Sequence, residues 1–167
     1  MVRFVSVGGI LTTIAVILQS APVFLSVIGM ILSPFSTLPI ALAAHSNISL
    51  GIAVYITSAM ILTLVSVQEA VILIFTTGLL GIAIGTFLYR KGIFISILFS
   101  SILLSLGMIL LTFVADISAF GDFTRPIPIP IIILIYILFS IIYSTIWNFC
   151  IRKLINYLLK IVTKHVQ

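Results

Sequence analysis

Charge is what this chain lacks. Only 7% of its 167 residues are Asp, Glu, Lys or Arg, and three of those are acidic, against about one quarter charged in a soluble domain. A water-soluble globular fold is thereby excluded. With a single cysteine, Cys150, an internal disulfide is excluded too. Long polar stretches are also missing: residues 4–44 and 48–151 are almost continuously apolar, which leaves no room for a soluble domain between them. Enzyme signatures fail as well. There is no HExxH, no GxSxG and no P-loop, and two histidines and one cysteine make no recognisable metal-ligand set. The sequence therefore predicts no catalysis, no metal and no cofactor.

What is present is hydrocarbon. Hydrophobic residues make up 62% of the chain and the mean hydropathy is +1.46. A bilayer crossing takes about 20 apolar residues as a helix, so the expected fold is all-α, a polytopic integral membrane helical bundle in a cell membrane, with the lipid bilayer as its first partner. The net charge of +5 does not point to nucleic acid, because the basic residues sit at segment ends, where they meet lipid headgroups. Arg3 ahead of an apolar stretch raises a signal peptide, but no small-x-small site precedes Pro22, so the first segment is expected to be retained.

Four crossings are read directly, at 48–66, 71–89, 93–115 and 131–151. Arg90, Lys91 and the tail from Arg152 hold six of the eight basic residues, whereas Gln68-Glu69 and 116–130 hold all three acids and only Arg125. The positive-inside rule makes the basic connectors cytoplasmic and the acidic ones external. Residues 4–44 then start and end inside, which two helices turning near Gln19 to Pro22 satisfy. The expectation is six helices with both termini cytoplasmic. The alternative turns at Ser33-Pro34-Phe35-Ser36-Thr37 and gives five. Residues 1–151 are thus read as the transmembrane domain and 152–167 as a basic amphipathic cytoplasmic tail, with Lys153, Asn156, Lys160, Thr163 and Lys164 at helical spacing. On this reading no ionisable side chain lies inside a crossing, so no residue there holds a coupling ion, and His45 and Glu69 lie on opposite sides.

Three groups of residues stand out. Gly78, Gly81 and Gly85 share a helix face, a small-xxx-small surface where another helix, from this chain or a partner, can approach closely. Tyr136, Ser140, Tyr143 and Trp147 form a polar aromatic stripe with Ser144 and Asn148 beside it. Such a stripe suits either helix packing or a small aromatic ligand, with Trp147 read as an interfacial anchor. In the external loops stand Asp116, Asp122 and Arg125, followed by Pro126, Pro128 and Pro130, which stiffen the chain and suit either a cap over an outer pocket or a solvated connector that stops one helix before the next begins. Tyr136, Ser140, Tyr143, Asp116, Asp122 and Arg125 are the predicted ligand contacts.

With Ser33-Pro34-Phe35-Ser36-Thr37-Leu38-Pro39 leading to Gly51, and Thr76-Thr77-Gly78-Leu79-Leu80-Gly81 leading to Gly85, the chain resembles the substrate-binding S components of bacterial energy-coupling factor (ECF) transporters. The resemblance implies uptake of a small solute such as a vitamin, captured from outside and energised by a separate transmembrane coupling subunit and ATPases. The family's coupling surface carries alanines four apart in its first helices; here Ala15 and Ala21 are six apart and Gln19 stands at the matching position. The alternative is a non-transport membrane scaffold that holds a partner through Gly81 and Gly85 or through the basic tail.

Overall fold

Helices follow wherever apolar sequence is uninterrupted, and two of them start where a side chain takes over a backbone hydrogen bond. A computed structural model describes residues 2–117 and 128–164, in which every element is helical: α1 (Val2–Leu32), a 3-10 turn (Ser33–Ser36), α2 (Thr37–Ser46), α3 (Ile48–Val65), α4 (Val67–Ile72), a π-helical turn (Leu73–Thr77), α5 (Gly78–Arg90), α6 (Ile93–Phe113) and α7 (Ile129–Lys164). Asn47 is extended and its side chain accepts the Ser49 N–H at 2.9 Å, which starts α3. Ser66 does the same for α4, its hydroxyl accepting the Glu69 N–H. Gly92, at φ 90°, opens α6.

Five helical stretches are long and apolar enough to cross a membrane: Phe4–Ser46, Ile48–Val65, Val67–Leu88, Ile93–Phe113 and Ile129–Tyr157. The first, of 43 residues, is not straight. At Ser26 the backbone leaves the helical region (φ 44°, ψ −115°) and the chain doubles back. The Ser36 hydroxyl donates to Gln19 Oε1 at 2.7 Å, although 17 residues of straight helix would separate them by roughly 25 Å. Gly29 lies so close to the outgoing arm that a Cβ there would sit 2.2 Å from the Ala21 carbonyl oxygen. The reversal is thus at Ser26 and not at Gln19 to Pro22. Pro22 lies inside α1, where it removes one hydrogen bond of the helical ladder without ending the helix. The 3-10 turn at Ser33–Ser36 interrupts the returning arm, with Pro34 in its first turn.

The remaining pairings alternate in direction. Ala44 is wedged between Gly51 of α3 and Gly85 of α5, and α2 runs parallel to α5, Gly81 meeting Thr37 and Ile40 while Gly85 meets Ala41 and Ala44. Helices α6 and α7 are antiparallel: Thr112 meets Tyr136, Met108 meets Ser140, Ser100 meets Ser144 and Ser96 meets Asn148. The turns at Ser26 and Ser66 and the chain around Ile117 consequently gather at one end of the bundle. Asn47 and Gly92 lie at the other. Helix α7 has 36 residues, roughly 54 Å at about 1.5 Å each, and continues unbroken past 151. Ile155 is buried in the same cluster as Trp147 and Ile151, so the first turn of the basic segment belongs to the bundle.

The glycine stripe is filled from within the chain. A Cβ on Gly78 would meet the Tyr55 ring at 2.6 Å, on Gly81 the Ile40 side chain at 3.0 Å, and on Gly85 the Ala41 carbonyl at 2.4 Å. A second chain has no access to this face. Gly81→Leu should therefore abolish the folded monomer, read as loss of the monodisperse species in detergent, instead of dissociating an intact protein from a partner. Folded but dissociated protein would place the stripe at a subunit seam.

Candidate functional site

At the end of the bundle formed by Ser26, Ser66 and Ile117, four helical layers leave a cavity of about 380 Å³. The first hairpin contributes Pro22, Met30, Ser33 and Pro34 to its wall. Gln68, Glu69, Ile72, Thr76 and Thr77 come from α4 and the π turn, Leu104, Met108 and Leu111 from α6, and Phe139 and Tyr143 from α7, with Ile117 at the rim.

Glu69 is the only acidic or basic side chain among the described residues of this wall. It is 8% exposed and lies within the candidate span Val67–Leu88, which corrects the expectation that the crossings hold no ionisable group. The correction has a local cause. Ser66-Val67-Gln68-Glu69 is a helix start, so the helix begins four residues earlier than 71 and takes Glu69 with it. A capping box would turn the Glu69 carboxylate back onto the Ser66 N–H. That N–H is already donated to the Leu62 carbonyl at 2.7 Å, which leaves the carboxylate to make contacts elsewhere.

Its contact is Gln19. The Gln19 Nε2 donates to Glu69 Oε2 at 2.9 Å, and Gln19 Oε1 accepts from the hydroxyls of Ser36 at 2.7 Å and Thr77 at 2.9 Å. With the carboxylate ionised this orientation is the favourable one: the amide nitrogen faces an acceptor-only group and the amide oxygen two hydroxyls that can donate. Gln19 and Ser36 are fully buried and Thr77 is 7% exposed. The network thus joins both arms of the first hairpin to the broken helix Val67–Arg90.

The π turn supports the same wall. Its wider winding turns carbonyls out of the helical ladder: Ile74 O accepts from the Tyr55 hydroxyl at 3.0 Å, and Phe75 O presses on the backbone of Gly107 in α6. Thr76, which lines the cavity, donates its hydroxyl hydrogen to Ile72 O at 2.6 Å.

The predicted ligand residues divide. Tyr143 lines the cavity, its ring stacked on Phe139 with centroids 5.3 Å apart. Tyr136 and Ser140 do not line it; both are fully buried against α6, with the Tyr136 hydroxyl 2.8 Å from that of Thr112 and the Ser140 hydroxyl donating to Met108 Sδ at 3.7 Å. Asp116 is exposed, in the left-handed region at φ 54°, and is absent from the wall that its neighbour Ile117 helps to form. Asp122 and Arg125 lie outside the described residues. Trp147 is not an interfacial anchor: it is 8% exposed, its ring edge-on to Phe35 with centroids 5.5 Å apart. Ser144 and Asn148 join Ser96 and Ser100 in a buried polar seam between α6 and α7, Asn148 Nδ2 donating to Ser144 O at 2.8 Å. Each member has a partner there, so the seam binds the two helices to each other.

No family model, curated protein or solved structure matches the chain. Ala15 and Ala21, the positions compared with the coupling alanines of S components, are buried (0% and 7% exposed) and offer no exposed small-residue surface.

Proposed function

We propose that this chain crosses the membrane six times with both termini on the cytoplasmic side, and that it binds a small solute from the outer face as the substrate-binding subunit of an uptake system. The observation that carries the proposal is the cavity at the Ser26, Ser66 and Ile117 end, of about 380 Å³ and within the range of about 300–1,000 Å³ typical of small-molecule sites. Its wall is largely apolar, with one oriented carboxylate, as such sites require. The reversal at Ser26 supports the sixth crossing, since each arm of Phe4–Ser46 is then about one bilayer long. Arg90 and Lys91 at the opposite end support the orientation, because basic residues favour the cytoplasmic side.

With Glu69 inside a span, the lack of an ionisable group no longer supports external energising. What supports it is the resemblance to ECF S components. Native mass spectrometry of protein released gently from its own membranes tests both halves. A bound metabolite with copurifying ATPase chains is the expected result, and protein free of small molecules in every preparation would remove the binding function. Tyr143→Leu should weaken binding of the metabolite about tenfold, since one aromatic wall contact contributes roughly 1.4 kcal/mol, and so lower the fraction that carries it at unchanged folded yield. Full retention by that variant would move the ligand out of this cavity.

A further inference from the structure

Resting on the reading of this cavity as a solute site, we infer that its ligand is an organic cation, an ammonium or a cationic heterocycle, with the charge seated against Glu69. A carboxylate withdrawn from water needs compensation by charge or several hydrogen bonds, and the protein supplies little. The side chain has one partner, the Gln19 amide on Oε2, and Oε1 has none among the described residues. No Lys, Arg or His stands in the described wall. The remaining charge is left to whatever enters.

The rest of the wall suits an organic body. Phe139 and Tyr143 present stacked rings whose faces attract a cation, and Met30, Leu104 and Met108 supply adaptable apolar surface. An anion would meet repulsion from Glu69 with nothing to offset it. A hard metal ion would need about six oxygen ligands, several of them carboxylate or carbonyl, whereas Glu69 is the one carboxylate in the described wall and no group of three His, Cys, Asp or Glu gathers among the described residues.

The test uses three probes of one shape: 2-phenylethylammonium, neutral 2-phenylethanol and anionic 3-phenylpropionate, titrated at pH 7 against the full chain in phosphatidylcholine nanodiscs. Trp147 is the only tryptophan and packs on Tyr143 with centroids 6.1 Å apart, so its fluorescence reports occupancy. The ammonium should bind about tenfold or more tighter than the alcohol, the propionate weakest, and Glu69→Gln should bring the ammonium to the level of the alcohol, the loss of one charged hydrogen bond being of that order. Binding of the alcohol by the variant shows that its cavity is intact. Equal binding of all three probes by the wild type would overturn the cation inference and leave the solute site standing. Cation binding unchanged in Glu69→Gln would overturn it as well, by moving the charge recognition elsewhere. Binding of none of the three would overturn both.

Discussion

Gly107→Ala should cost about 3 kcal/mol or more and collapse the yield of folded protein. Built on the present backbone, the new Cβ would lie 1.6 Å from Phe75 O and 2.8 Å from Phe75 C. Neither atom belongs to a flexible side chain that can step aside. The Phe75 carbonyl is where it is because the π turn winds wider than an α-helix, and that turn is held from the other side by the Tyr55 hydroxyl on Ile74 O. Relief therefore means moving α6 away from the broken helix, which also opens the cavity wall formed by Leu104, Met108 and Thr76. Gly9→Ala is the matched control: no atom lies within 4 Å of the Cβ it would add, and helix propensity favours alanine by about 1 kcal/mol. Thermal stability of both variants in one mild detergent decides the matter. A Gly107→Ala protein as stable as Gly9→Ala would mean that the π turn straightens at no cost.

The sequence made the outer crossings legible and concealed the centre. Helices α3 and α6 end within two residues of the expected limits because their apolar runs are bounded by Asn47, Ser66 and Gly92, which act locally. The reversal at Ser26 is hidden behind Pro22, which is the louder local signal. A proline inside a helix removes one hydrogen bond without reversing the chain, whereas the close approach of Gly29 to Ala21 is a fact about two arms that no local window contains. Hydropathy alone starts the helix at Val71 and leaves Glu69 in a loop. The Ser66-x-x-Glu69 spacing was the available signal, and it places the carboxylate in the first turn. The tyrosine stripe failed differently. Tyr136 and Tyr143 are separated by nearly two turns and share a face to within about 20°, but the surface opposite changes with depth. Thr112 meets the first, and the cavity meets the second. Periodicity reports direction and is silent on what lies there. The π turn left no mark in composition beyond Gly107.

The second large effect concerns the buried network. Gln19→Leu should cost about 2–3 kcal/mol, the scale for leaving a buried charged group without its hydrogen-bond donor. Glu69 Oε2 loses its donor, and the Ser36 and Thr77 hydroxyls lose their acceptor. The hydroxyls can recover, since serine and threonine in helices turn to the carbonyl one turn back, as Thr13 does to Gly9 O and Thr76 to Ile72 O in this chain. The carboxylate has no such recourse among the described residues, because the Ser66 N–H is engaged with Leu62 O. Glu69→Leu introduced on top of Gln19→Leu should accordingly return most of the lost stability, with a coupling energy of about 1.5–3 kcal/mol between the two positions. Packing alone predicts otherwise: Gln19 is fully buried between the two arms, and if its role were only to fill that space, the leucine would serve and the two substitutions would add independently. A four-member thermodynamic cycle in detergent separates these outcomes. Additivity would mean that the amide does not hold the carboxylate, and would leave the orientation of Glu69 toward the cavity without its support.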